Sequence, residues 1–261
     1  MKKYSRTEKL QESYFNTIVS DYAKYYGGPC CHAYRDKFMN APMLENICLA
    51  GMTVIDAMCG NGETTRYLRR QQASVTGVDI SQEELRNFQR QWPDCTAHCS
   101  SMLSTGLKEN IYDCVVIVGG LHHIHPNCTE AIHEIHRLLK PGGYFCFTEP
   151  HKGSLPDLVR KFWYNHDDYF LENEAAVDLE SLKQEFSSKF TFIKEEHKGN
   201  LAYLLVYNAM VFRIPLRPGR LYTPVLLWIE SIIEKLQGKQ LSCFVVGQWK
   251  KNDGPLNRTN N

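Results

Sequence analysis

Three groups of residues in this chain have types and spacings that can do chemistry. The first is a short apolar run, Thr53-Val54-Ile55-Asp56-Ala57-Met58, that meets Cys59-Gly60-Asn61-Gly62 and continues as Glu63-Thr64-Thr65. A strand that ends in a glycine turn and enters a helix presents backbone N–H groups at the carboxyl edge of a sheet, where α/β folds hold ligands. Glycine is needed there because a Cβ would block close approach. The dinucleotide fingerprint asks for a third small residue where Thr65 stands, so NAD is not the expected ligand. The second group is Asp79, at the end of the next apolar stretch. A carboxylate in that place accepts hydrogen bonds from both hydroxyls of a ribose. Its rival role is a helix cap, and Ser81 is the better cap. The third group is Gly119-Gly120-Leu121-His122-His123-Ile124-His125, with Glu149 further on. An imidazole in that loop suits a general base near neutral pH. His123 is the expected base and His122 the second candidate, with Glu149 holding the imidazole and raising its pKa. A purely loop-orienting role stays open for each histidine.

These residues meet only if strands deliver them to one edge. After a helical, aromatic first fifty residues interrupted at Gly27-Gly28-Pro29, apolar runs alternate with helical patterns. Strands are expected at 53–58, 73–79, 95–99, 113–118 and 144–148, and helices at 63–72, 81–91 and 127–140. Ser81 with Glu84, and Asn127 with Glu130, have capping-box spacing. Lys140-Pro141-Gly142-Gly143 reads as a helix stop. This rhythm implies βαβ units and a mostly parallel sheet covered on both faces. Beyond Glu149-Pro150 the pattern turns helical, with Asp178 as a cap, until Phe190–Glu196 alternates as a strand. Leu201–Phe212 reads first as a core strand or the wall of a substrate pocket and second as a membrane-lying segment, Leu226–Leu236 as a helix and Ser242–Trp249 as a last strand.

Four segments together resemble the class I S-adenosylmethionine-dependent methyltransferases: VIDAMCGNGETT, VTGVDIS, YDCVVIVGGLHHI and EIHRLLKPGGYFCFTEP, in that order. The resemblance covers residues 50–150. It implies an α/β, Rossmann-like seven-stranded mostly parallel sheet with a reversed last strand, helices on both faces and helical cap insertions. It implies S-adenosyl-L-methionine as cofactor, held by Asp56, Met58, Cys59, Gly60, Gly62, Asp79, Ile80, Ser101, Met102, Val118 and Gly119, with His98–Met102 beside the adenine. An N-terminal lid of Tyr22, Tyr25, Tyr26, Tyr34 and Arg35 is expected to close over the site, with Tyr26 meeting the cofactor. In the natural-product sugar O-methyltransferases of this family, a histidine of the loop and an acid at the strand end are placed together. The implied reaction is methyl transfer to a small-molecule acceptor, first a hydroxyl of a natural product or sugar. A carbon or nitrogen acceptor such as a quinone, lipid or amine comes second, and a non-catalytic cofactor-binding protein third. The implied division is an N-terminal lid (1–50), a cofactor core (51–150), a cap insertion (151–189), last strands with a second helical insertion (190–250) and a flexible tail (251–261).

Composition narrows the classes. The chain has 261 residues, 43% of them hydrophobic, and a net charge of +1. That balance suits an ordinary globular chain and gives no electrostatic case for nucleic acid. The polar N-terminus lacks an apolar leader, so ten reduced cysteines in the cytoplasm are expected. No C-x-x-C pair occurs. His133-Glu134-Ile135-His136 is one residue short of the zinc-helix spacing, and His122, His123, His125, His133 and His136 cluster by sequence alone, so no metal is assigned. His166-Asp167-Asp168 reads as a charged loop. Phe162, Trp163, Tyr164, Tyr169 and Phe170 suggest a wall for a bulky acceptor. Arg213, Arg217 and Arg220 suit an anionic substrate, a lipid surface or plain surface charge. A homodimer is compatible with the composition, and no stretch is long enough for stable membrane insertion.

Overall fold

The computed structural model describes residues 5–164 and 174–253. Helix α1 (Arg6–Tyr26) starts at a reciprocal capping box between Ser5 and Glu8. Gly27 and Gly28 separate it from α2 (Pro29–Tyr34), which runs through a π-helical stretch, Arg35–Asn40, into the short α3 (Ala41–Met43). The core then alternates β1 (Thr53–Ala57), α4 (Thr65–Arg70), β2 (Ser74–Asp79), α5 (Gln82–Gln91), β3 (Thr96–Cys99), β4 (Tyr112–Val118), α6 (Cys128–Leu138) and β5 (Leu139–Glu149). After α7 (Leu155–Tyr164) and α8 (Leu179–Phe186) come β6 (Phe190–Lys198), α9 (Leu216–Ile233) and β7 (Phe244–Lys251).

The seven strands lie in the order β3-β2-β1-β4-β5-β7-β6, with β7 antiparallel to both neighbours. This is the expected Rossmann-like sheet with its reversed last strand. Side chains alternate across a strand, and in β4 Cys114 and Val116 enter one core layer while Val115 and Ile117 enter the other. None of the four is exposed. A run apolar on both faces fits only the middle of a sheet covered on both sides.

Several expected details differ. Asn127 makes no side-chain cap to α6. Lys140-Pro141-Gly142-Gly143 does not follow the helix as a stop. It lies within β5, where the register against β4 shifts between Tyr112 and Cys114 and Gly142 takes φ 73°. The carbonyls near the end of α6 are served by a residue distant in sequence: Lys251 Nζ donates to His136 O and Leu139 O at 2.8 Å each. Lys251 therefore belongs to β7 rather than to a tail. Leu201–Phe212 is not a strand. It forms a helical segment with a π-helical turn at Tyr203–Tyr207. Asp178 does cap α8, accepting from Ser181 N. Trp163 and Tyr164 side chains, and residues 165–173 with His166, Asp167, Asp168, Tyr169 and Phe170, lie outside the described residues.

Candidate active site

The carboxyl ends of β1, β2, β4 and β5 converge on two adjoining cavities. At the first, Met58 leaves β1 with φ 55° and Gly60 turns at φ 50°. The loop is tied to β2 twice: Cys59 N donates to Val78 O at 3.1 Å, and Gly60 N donates to Asp79 Oδ2 at 2.9 Å. Asp79 Oδ1 accepts from Ser81 N at 2.8 Å. Each carboxylate oxygen keeps a second lone pair, so Asp79 builds the loop and retains capacity for a ligand's hydroxyls. Burial raises its carboxyl above the usual carboxylate range.

The first cavity is lined by Asp56, Met58, Cys59, Gly60, Asp79, Ile80, Ser101, Met102, Val118 and Gly119, all among the residues expected at the cofactor. Gly62 and Tyr26 do not line it. Gly62 stands at φ 87° where a Cβ would come within 2.5 Å of Trp92 Nε1, so the packing of α5 accounts for this glycine. Gly62→Ala is therefore expected to destabilise the fold by about 1–3 kcal/mol through overpacking and backbone strain, measured by denaturant titration. Tyr26 lines the second cavity instead, with its hydroxyl 3.5 Å from Asn208 Oδ1. His98 points elsewhere, pairing with Thr105 O at 2.9 Å.

Of the expected lid residues, Arg35 and Tyr22 reach the first cavity, together with Phe15 of α1. Arg35 is buried, with its guanidinium 2.8 Å from Thr64 Oγ1 and 3.4 Å from Tyr207 Oη. Tyr34 is occupied differently, donating to buried Glu230 at 3.0 Å. Glu63 and Glu84 also line the cavity, although neither carries a ligand signal in the sequence. The capping-box spacing disguised Glu84. Because Asp79 takes the Ser81 N–H, the reciprocal bond from Glu84 is not made. Glu84 Oε2 has no hydrogen-bond partner among the described residues, and burial beside Asp79 raises its carboxyl to about 8. Burial likewise lifts Asp56 to about 7, although Thr65 Oγ1 donates to it at 2.7 Å.

An acid with a raised folded-state pKa costs stability as pH climbs from its unfolded value to its folded one. Glu84→Gln removes that cost. It is expected to stabilise the unliganded chain by about 1–3 kcal/mol near pH 9 after solvent screening, the gain shrinking toward pH 4.5. Thermal melts of both proteins across that range check it.

The second cavity encloses about 730 Å³. Its polar end holds His122, His123, Glu149 and Glu174, and its walls include Tyr203, Leu204, Tyr207, Met210 and Phe212. The segment 201–212 thus contributes a cavity wall and is not the expected strand. Val118, Gly119, Tyr22 and His123 line both cavities.

The histidines are paired differently from the expectation. Glu149 sits with His122, at 2.8 Å from Nδ1, and not with His123. Glu149 also accepts from Gly120 N and Leu121 N at 2.7 and 2.8 Å, fixing the turn Leu121–His123. His123 Nδ1 lies 3.0 Å from Glu174 Oε1, an acid in the cap segment with no sequence signal. Burial, then the adjoining His123 ring, lowers the pKa of His122. Burial opposes charge on His123 too, but Glu174 outweighs it and the net direction is up. His122 is thus held further toward the neutral form than His123, and in a neutral ring that donates Nδ1–H to Glu149 the lone pair is on Nε2. His122 and His123 come together with Glu174, and among the described residues their potential ligand atoms lie within 4.8 Å of one another.

Residues 54–143 match the methyltransferase-domain family. An uncharacterised methyltransferase of Synechocystis sp. is 32% identical over 121 residues, 46% of this chain and 57% of that protein. The malonyl-[acyl-carrier protein] O-methyltransferase of Enterobacter lignolyticus is 31% identical over 140 residues, 51% and 55% of the two chains. The chain thus spans little more than half the length of these curated relatives. Among solved structures, the [4+2]-cyclase SpnF superposes with a TM-score of 0.68 at 16% identity, covering 96% of this chain and 98% of that one. Magnesium protoporphyrin IX methyltransferase from Synechocystis, with bound S-adenosylhomocysteine, gives 0.64 at 15% identity, covering 94% and 100%. Residues 54–143 are thus similar to a methyltransferase domain, and the fold is the one seen in S-adenosylmethionine-dependent methyltransferases.

Proposed function

We propose that this chain transfers a methyl group from S-adenosylmethionine to a small-molecule acceptor, with an acceptor hydroxyl as the first choice and His122 as its base. The observation that carries the reading is the His122–Glu149 pair in the larger cavity, next in the chain to His123, which lines both cavities. The donor set of the first cavity fits the cofactor. Arg35 is a buried cation for a carboxylate, Glu84 has an oxygen without a partner for an ammonium, and Asp79 retains lone pairs for ribose hydroxyls. Ile80 and Met102 offer apolar faces for a purine. When bound, the cofactor supplies a methyl group activated on a sulfonium sulfur.

The chain's own work is alignment and proton removal. Walls from α1 and residues 201–212 hold the acceptor and exclude water. His122 Nε2 takes the acceptor's proton as its oxygen becomes nucleophilic. Glu149 holds the imidazole in the tautomer that leaves Nε2 bare, and stabilises the imidazolium that results. Tyr22, shared by both cavities, makes the N-terminal helix a lid over the junction.

The apolar walls also favour a quinone or lipid acceptor, and demethylmenaquinone methyltransferase of Desulfitobacterium hafniense is 25% identical over 122 residues. Transfer to carbon or to an already acidic oxygen needs less help from a base. Labelled S-adenosylmethionine incubated with small-molecule extracts tests the function. A labelled product is expected from the wild-type chain at pH 8, and its absence from extracts rich in hydroxylated and quinoid compounds would sink the proposal.

A further inference from the structure

The outer face of α9 is apolar, and among the described residues no element covers it. Leu221, Val225, Trp228 and Ile232 recur at helical spacing and are 84%, 57%, 64% and 41% exposed, and Leu236 extends the stripe at 84%. A soluble helix ordinarily turns such a stripe inward. Here the acids are turned inward instead. Glu230 is fully buried and accepts from Tyr34 Oη, Asn200 N and Ala202 N, while Glu234 pairs with Lys198 at 3.0 Å. Every exposed charged side chain described between residues 213 and 241 is basic: Arg213, Arg220, Lys235 and Lys239, of which Lys239 pairs with Glu180 of α8 at 2.9 Å.

This face is continuous with the larger cavity. Tyr222 of α9 donates to Leu205 O at 3.4 Å, and Leu205 belongs to the segment whose Leu204 and Tyr207 line that cavity. At its rim, Leu155, Val159 and Leu241 are exposed and also line it, with exposed Leu158 on the same helix as the first two.

We propose that the α9 face and the α7 rim dock peripherally on an anionic lipid bilayer, so that the cavity receives its acceptor from the membrane. A basic margin around an apolar stripe that carries a tryptophan is the composition of an interfacial helix. The basic margin matches negatively charged headgroups. No described helix is long and apolar enough to cross the membrane, so the contact is a surface one. The docking face lies outside the residues assigned to the cofactor. The origin of the acceptor rests on the proposed methyl transfer, whereas docking does not.

The test is sedimentation of the full chain with vesicles of phosphatidylcholine alone and of phosphatidylcholine with phosphatidylglycerol. Binding is expected to the anionic vesicles, at least about tenfold weaker to neutral ones and weakened by salt. Leu221→Ser with Trp228→Ser is expected to lower it at least about tenfold, leaving S-adenosylhomocysteine affinity unchanged. Should that variant fail to fold, Arg220→Glu with Lys235→Glu decides the matter by the same loss. Four results would overturn the proposal: no vesicle binding, equal binding to neutral vesicles, binding unaffected by the variants, or burial of the stripe in a dimer that does not bind vesicles. Retention by an acidic carrier protein in place of vesicles would overturn it as well. Failure of docking with intact cofactor binding would leave methyl transfer standing, so the two claims fail separately.

Discussion

Replacing His122 with Ala is expected to lower turnover on a hydroxyl acceptor by about 10²–10⁴-fold, with little change in cofactor affinity. His122 lines the second cavity and not the first, so its loss leaves the cofactor's contacts intact. The pH dependence has a definite sign. Burial lowers the His122 pKa, so the neutral base is present above the lowered value and is lost as pH falls through it. Activity of the wild-type chain should therefore rise with pH along a limb below 6.5 and then level, and the limb should disappear in His122→Ala. His123→Ala is expected to act differently. Its imidazole is held toward the charged form by Glu174, so its removal should shift the limb upward by relieving His122 of a neighbouring positive charge. Glu149→Gln should slow turnover and also weaken the fold, because the same carboxylate holds the amides of Gly120 and Leu121. Initial rates of His122→Ala and His123→Ala against pH separate these roles, and equal, near-wild-type rates in both would remove the base from the mechanism.

The parts of this site that were legible in the sequence share one property: they lie on short, regular βα units. Strand, glycine turn and helix follow within a dozen residues around Gly60, and Asp79 ends the next strand, so local pattern sufficed. The apolar run of β4 placed Val118 and Gly119 for the same reason. What the sequence obscured depends on contacts between distant segments. Glu174 reaches His123 from 51 positions further along the chain, inside a cap with no repeating pattern. Glu149 selects His122 because the turn Leu121–His123 presents that ring, and adjacency in sequence cannot tell neighbouring imidazoles apart. Gly62 was misleading in a different way. It belongs to the glycine loop, but its open Cβ position faces Trp92, so steric crowding by α5 is enough to require it. Lys140-Pro141-Gly142-Gly143 carries every local sign of a helix stop, yet pairing with β4 draws it into β5.

Asp79→Ala is expected to weaken S-adenosylmethionine binding by about 1.5–3 kcal/mol, the usual worth of hydrogen bonds to a charged group. That corresponds to roughly a 10- to 150-fold rise in Kd. Two effects combine in this substitution. The ribose hydroxyls lose their acceptor, and Gly60 N and Ser81 N lose the carboxylate that holds the loop. Asp79→Asn distinguishes them, since the amide oxygen can still accept one of these backbone bonds. Its affinity should fall between wild type and Asp79→Ala, with thermal stability closer to wild type. Calorimetric titrations of the three proteins check the order, and an unchanged affinity in Asp79→Ala would take the ribose role away from this residue.

The central claim is that the first cavity is a site for the sulfonium cofactor and not for a dinucleotide. Calorimetric titration of the wild-type chain with S-adenosylhomocysteine, repeated in the presence of excess NAD, tests it most directly. One molecule should bind per chain, with an affinity that NAD leaves unchanged. No binding of S-adenosylhomocysteine, or its displacement by micromolar NAD, would contradict the account.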